Sequence, residues 1–361
     1  MIATSTHNAP APMEGRGAYN RNSRVQAAGF AAAIPYFKEA ARVCSLAAAP
    51  APIAIADYGA SEGHNSLVPM AAAIAVLRQR VGAERAISVV HTDLPDSDFN
   101  ALFLTLANDP ESYARGNAAV FPSAVGRSFY DQILPSESVT LGWTSWAVQW
   151  LSRIPEPIPD HVQVACSSDS AARTAYEAQA DADWRTFLTH RAHELRAGGQ
   201  LVVLTMALTD DGDFGYRAVL AAMYGALIDL VAEGKLSDAE LIRMAIPTVG
   251  RGRAQLLAPF GANRHFAGLS IKQLDIFLGE DRIWEQYEQD RDAAAYGARW
   301  AAFSRASVFP TMALALDDAK NAVRVSAFLD DTEVRMAARL AGHPEPCAIP
   351  LARLRLSKES R

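Results

Sequence analysis

The chain has 361 residues, half of them apolar, a fifth charged and 8% aromatic, which excludes a disordered, collagenous or coiled-coil polymer and fits a packed globular protein. Lys plus Arg number 34 against 40 Asp plus Glu, a formal net charge of −6. That balance argues against a nucleic-acid footprint and against a cationic membrane helix, leaving small molecules or proteins as partners. Cys44, Cys166 and Cys347 are odd in number and far apart, unlike a disulfide framework or the close pairs of a zinc site. No stretch approaches the roughly 18 uninterrupted apolar residues of a membrane helix, and the start lacks a basic segment followed by an apolar block, so a cytoplasmic protein is expected. Lysine is scarce beside arginine, which reads as the coding bias of a GC-rich bacterial genome and says nothing about chemistry.

In chain order, residues 1–18 are small and polar with Pro10 and Pro12 and are expected to be a flexible tail. The run Ile53-Ala-Ile-Ala-Asp57 reads as a first strand ending in an acid, followed by Gly59, Gly63 and a helix over 66–80. A second burst, Ala86 to Asp93, again ends in an acid, and Phe99, Leu102, Phe103 and Leu106 follow at helical spacing. This βαβα order implies a parallel, doubly wound sheet. Ala118–Phe121 and Ser138–Leu141 are short strand candidates. Trp184, Phe187, Leu188 and Leu195 give a helix its apolar face, which Gly198-Gly199 is expected to stop, and Gln200–Met206 reads as a buried fifth strand. Helices are predicted over 214–233 and 238–244, and late strands over 271–277 and 349–356, so helical insertions should interrupt the sheet after its fifth and sixth strands.

Ligands of such sheets sit at the carboxyl ends of the strands, where glycine lets backbone approach them. In Asp57-Tyr-Gly59-Ala-Ser-Glu-Gly63-His-Asn65 the glycines stand four apart, unlike the G-x-G-x-x-G of a dinucleotide site. An acid before the loop repels pyrophosphate but suits a ligand with a protonated amine and no phosphate, such as S-adenosylmethionine. Asp93 can accept from two ribose hydroxyls, in dinucleotide and adenosyl sites alike; Asp96 and Asp98 are better read as turn and N-cap residues. A tight structural turn remains an alternative for the glycine loop taken alone.

Four blocks in order carry a resemblance: Gly15, Gly17, Tyr19, Asn22, Ser23 and Gln26; Ala56-Asp57 through Gly63-His64-Asn65; Thr92-Asp93-Leu94-Pro95 through Phe99-Asn100; and Ser128-Phe129-Tyr130, Pro135 and Ser145-Trp146 through Trp150-Leu151-Ser152. The chain resembles the SABATH family of S-adenosylmethionine-dependent methyltransferases, the plant group acting on salicylate, benzoate, jasmonate and theobromine precursors, collinearly over most of its length. The resemblance implies an α/β fold: a doubly wound, Rossmann-like class I methyltransferase sheet with an inserted α-helical cap. The expected division is a core over 19–208, a cap insertion over 209–266, and late core strands with further cap helices over 267–361. It also implies that Tyr19, Ser23, Asp57, Gly59, Ala60 and Asn65 line the methionine half of the cofactor, that Asp93 and Leu94 hold the ribose, and that Ser128 and Phe129 bracket the adenine.

On the substrate side the family holds a carboxylate with a Gln amide and a Trp indole, present here as Gln26 and Trp150. Both are N–H donors that fix an anionic oxygen without a full positive charge. Gln149 stands where most carboxyl methyltransferases of the family carry His, and it cannot take up a proton near neutral pH. Trp146 replaces a family Tyr. Some plant members place magnesium near a stretch that here carries Ile242 and Ala245 for Asp and Asn, so no metal is expected. His190 and His193 read as an exposed helix face, and His64 and His91 as loop and strand residues.

A carboxylate of pKa about 4 is ionised at neutral pH and needs no general base to attack a sulfonium methyl. O-methylation of a small carboxylic acid is therefore the reading of first rank, with no acid–base residue and with catalysis by alignment and exclusion of water. N-methylation of a xanthine-like heterocycle is the alternative in the same fold, decided by Trp146 and Gln149. A nicotinamide oxidoreductase and a binding protein without turnover are the readings from other classes. Residues 216–227, 250–266 and 300–310 are expected to shape the pocket, and the resemblance suggests a homodimer.

Overall fold

A computed structural model describes residues 29–359. Its centre is one eight-stranded sheet in the order β3-β2-β1-β4-β5-β8-β7-β6. Strands β1 (Ile53–Tyr58), β2 (Ile87–Asp93), β3 (Val120–Gly126), β4 (Val139–Ser145) and β5 (Leu195–Met206) are parallel, whereas β8 (Pro350–Lys358) runs antiparallel between β5 and β7 (Leu269–Leu278). β6 (His265–Phe266) closes the far edge as a short hairpin with β7. The inner strands read as near-continuous apolar runs because both faces are covered, as parallel sheets require; all but the last residue of β4 are buried.

Helix α1 (Ile34–Val43) starts with Pro35 near its first turn and buries Tyr36, Phe37, Ala40 and Ala41 while Lys38, Glu39 and Arg42 lie on its outer side. It packs on α2 (His64–Val81), which follows β1. α3 (Phe99–Asn108) is capped by Asp98, whose carboxylate accepts from the Ala101 N–H, and α4 (Ser170–Glu194) leads into β5. The remaining helices are insertions. Between β5 and β6 lie α5 (Arg217–Ala232), α6 (Asp238–Arg243) and α7 (Arg253–Leu257); between β7 and β8 lie α8 (Arg282–Asp290), α9 (Ala293–Ser307), α10 (Phe309–Ala313) and α11 (Ala322–Gly342). α11 packs against both α5 and α9, so the two insertions form one helical layer.

Two sequence expectations are corrected here. Gly198-Gly199 does not end a helix: α4 stops at Glu194 and β5 begins at Leu195, with the glycines inside the strand. Pairing jumps from Val139↔Leu195 to Leu141↔Gln200, a bulge that Gly198 permits with φ +71. β3 also runs later than expected, over Val120–Gly126, because Pro122 and small residues mask its pattern; Pro is tolerated there because β3 is an edge strand. Among the described residues no helix is long and apolar enough to cross a membrane.

Candidate active site

The glycine loop leaves β1 at its carboxyl end. Gly59 has φ +87, and a Cβ on it would lie 2.5 Å from the Ala147 Cβ, so only glycine lets this turn close on the loop after β4. Asp57, Gly59, Ala60, Asn65, Ser61 and Ser66 line one cavity enclosing about 320 Å³, whose other wall is Trp143, Ser145 and Trp146. Asp57 Oδ2 accepts from Ser66 Oγ at 2.5 Å and from His91 Nδ1 at 2.8 Å. The Ser145 Oγ is buried with no hydrogen-bond partner among the described residues. A polar cradle kept clear by glycine, with one orphaned hydroxyl and an acid at its base, fits the amino-acid end of S-adenosylmethionine.

Asp93 ends β2 beside this loop. Its Oδ2 accepts from the Ser61 N–H at 2.7 Å, and its Oδ1 from the Leu94 N–H at 2.8 Å and Ser97 Oγ at 2.6 Å. Burial holds this carboxyl above its ordinary pKa, while the Ser97 hydroxyl and the Ser61 and Leu94 N–H groups pull the other way. The loop carrying Ser128 and Phe129 starts where the Arg127 N–H donates to the Asp93 carbonyl at 2.8 Å. Phe129 packs on Tyr130 and edge-on against Phe187. Tyr19, Ser23 and Gln26 lie outside the described residues.

A second cavity, enclosing about 660 Å³, is lined by Trp146, Gln149 and Trp150 together with Met206, residues of α5 including Met223, and residues of α9 including Phe303. Among the described residues that line it, none is charged. Trp146 belongs to both cavities. Its backbone is left-handed at φ +57, unusual for a bulky residue and worth about 1–3 kcal/mol of strain. Ser61 (φ +48) and Tyr216 (φ +57), each on a cavity wall, share that conformation. The Thr205 hydroxyl donates to Gln149 Oε1 at 3.3 Å, turning the amino group of the amide into the free donor end. Among the described residues no side chain accepts the Trp150 indole N–H. Residues 216–223 and 303–308 line this cavity, as expected; 250–266 do not, and Ile246 and Thr248 stand in their place.

The sequence reading missed what holds these loops. Residues 247–251 run alongside 148–151: Trp150 pairs with Thr248, the Leu151 N–H donates to the Pro247 carbonyl at 2.7 Å, and the buried Arg251 donates to the Val148 carbonyl at 2.6 Å. Behind the loop of Ser128 and Phe129, Arg191 and Glu194, both fully buried, form an ion pair at 2.8 Å. Arg191 donates to the carbonyls of Phe129 (2.6 Å) and Asp131 (2.8 Å), and Glu194 accepts from the N–H groups of Ile133 (2.5 Å) and Leu134 (3.1 Å). The helix face assigned to His190 and His193 thus carries its burden on the residues between and beside them. The Tyr130 hydroxyl donates to the Trp150 carbonyl at 2.5 Å and joins the two loops. Only chain context marks these charged residues: an Arg or Glu inside an otherwise buried stretch. Among the described residues no three His, Cys, Asp or Glu side chains cluster in a way that could hold a metal.

The family described as SAM dependent carboxyl methyltransferase matches residues 9–323. "O-methyltransferase acrG" of Aspergillus aculeatus is 31% identical over 278 residues, 73% of this chain and 71% of the relative. "Indole-3-acetate O-methyltransferase 1" of Arabidopsis thaliana is 26% identical over 317 residues, 81% of each chain. "Methyltransferase LUC1" of a Fusarium species is 29% identical over 255 residues, and the match spans 66% of its length. The solved structure "Loganic acid methyltransferase with SAH" superposes with a TM-score of 0.75 at 20% identity, covering 97% of this chain and 99% of that one, which establishes the shared fold. The sheet order, the cradle at the end of β1 and the matched span agree: the chain belongs to the SAM-dependent carboxyl methyltransferase family.

Proposed function

We propose that the protein transfers a methyl group from S-adenosylmethionine to the carboxylate of a small, largely apolar acid, giving its methyl ester. The observation that carries this is the uncharged 660 Å³ cavity that shares Trp146 with the polar cradle and offers N–H donors from Gln149 and Trp150. The cofactor, when bound, supplies an electrophilic methyl on a sulfonium. Asp57 and Asn65 hold its amino-acid end, Asp93 and Leu94 its ribose, and Ser128 and Phe129 its adenine. Trp150 and Gln149 would orient the carboxylate by donating to one of its oxygens, leaving the other to accept the methyl, and the apolar walls of Met206, Met223 and Phe303 would exclude water. Ionised at neutral pH, the acid needs no base, which suits a cavity whose described lining residues include no acid or histidine. Gln26 completes the donor set.

A cytoplasmic location belongs to the same proposal, and a homodimer is the assembly the family resemblance favours. The function is tested by incubating the enzyme with methyl-labelled cofactor and a panel of aromatic and aliphatic carboxylic acids, then treating products with mild alkali. An ester releases labelled methanol. A product whose label resists alkali carries the methyl elsewhere than on a carboxylate oxygen and overturns carboxyl methylation.

A further inference from the structure

His91 has no place in the reaction described above, yet it is fully buried beside the cofactor cradle. Asp57 and His91 are direct neighbours in the register of β1 and β2, so their side chains share a face of the sheet. His91 Nδ1 lies 2.8 Å from Asp57 Oδ2, and its Nε2 lies 2.7 Å from the Tyr113 hydroxyl, in the loop between α3 and β3. The nitrogen facing a carboxylate must carry a proton. Burial and the Asp57 charge push the Tyr113 phenol above its ordinary pKa, so Tyr113 keeps its own proton, and its hydroxyl holds the ring from the far side at Nε2. With Ser66 Oγ also on Oδ2 at 2.5 Å, one oxygen of Asp57 is committed to the protein.

We propose that His91, backed by Tyr113, is a positioning residue for recognition of the cofactor's ammonium group: by locking Oδ2 it orients Oδ1 of Asp57 toward the amine. This rests on the placement of the amino-acid end of the cofactor at Asp57. The side chain touches Asp57 and no substrate atom, and it acts through that carboxylate alone.

Two nucleosides separate this role from general support of the fold. S-adenosylhomocysteine carries the amine; 5′-methylthioadenosine lacks the whole amino-acid end. Calorimetry on the full chain is expected to find that His91→Leu weakens S-adenosylhomocysteine about tenfold, the scale of a lost hydrogen bond to a charged group, and leaves 5′-methylthioadenosine unchanged. His91→Gln, which can still donate to Oδ2, restores most of the loss. Parallel weakening of both ligands, or of neither, overturns the proposal. Should His91→Leu fail to fold, Tyr113→Phe, which keeps the ring and removes the hydroxyl, is expected to weaken S-adenosylhomocysteine selectively; no selective loss overturns the proposal equally. Equal affinity of the wild type for the two nucleosides overturns the placement of the amine at Asp57 itself, an outcome visible before any variant is made.

Discussion

The two cavities that meet at Trp146 are built by opposite means. The cofactor cradle is made at the ends of β1 and β2, of polar side chains and backbone N–H groups whose hydrogen bonds are already in place: the Ser66 hydroxyl and the His91 ring on Asp57, and the Ser61 and Leu94 N–H groups and the Ser97 hydroxyl on Asp93. The second cavity, proposed for the acid, is made largely by α5 and α9, which lie about sixty residues apart in the chain, and is walled by methionine and aromatic side chains. A directional site that must recognise one fixed molecule sits on the rigid sheet, and an adaptable one sits on insertions that can be repacked without disturbing it.

The sharpest way to break this separation is at their contact. Gly59→Val places a side chain in a left-handed turn, against the Ala147 Cβ only 2.5 Å from where its own Cβ would stand. It is expected to abolish measurable S-adenosylhomocysteine binding in calorimetry and, through displacement of the 146–150 loop, all turnover. Trp150→Phe tests the acid side alone. Losing one N–H donor to a charged oxygen costs about 1.5–3 kcal/mol, so kcat/KM for the acid is expected to fall between about tenfold and a hundredfold while cofactor affinity stays within about twofold; unchanged turnover rejects the donor role. Met223→Ala enlarges the cavity and is expected to shift relative kcat/KM toward a bulkier acid by about tenfold, the range of one or two methylene groups, with the cofactor KM unmoved.

The smallest effect concerns pH. Because Asp93 has its pKa raised in the folded protein, its contribution to stability is complete below the ordinary carboxylate pKa of about 4 and is lost as pH rises through the raised value. Ribose hydroxyls need the ionised form, so S-adenosylhomocysteine affinity should run the other way and weaken by a few-fold as pH falls through that same value. A titration that stays flat from pH 8 down to the ordinary carboxylate pKa of about 4 in the wild type would remove Asp93 from the ribose site.

The same contrast explains what the sequence disclosed. The first two strands and their terminal acids were legible because each is a local signal, an apolar burst ending in Asp followed by a glycine turn, and the motifs around Asp57, Asp93, Phe129 and Trp150 came together at one end of the sheet. The clamps were not legible. Arg191 meets the Phe129 carbonyl across 62 residues and Arg251 the Val148 carbonyl across 103, and no periodicity announces a charged side chain that will be buried by tertiary contacts. Nor could composition place β8 between β5 and β7, since that pairing joins segments 150 residues apart. α1 escaped notice because its alanines hide an amphipathic stripe of Tyr36, Phe37 and Ala40.

Trp146 stands in both cavity walls on a backbone that leaves it little freedom to shift. Any movement of the indole that one ligand favours is therefore felt by the other, and the free energy of that coupling belongs to the pair. Whatever factor the acid applies to cofactor affinity, the cofactor must apply to acid affinity. A substitution at this one residue that alters the coupling alters it equally for both ligands, whatever it does to either affinity alone.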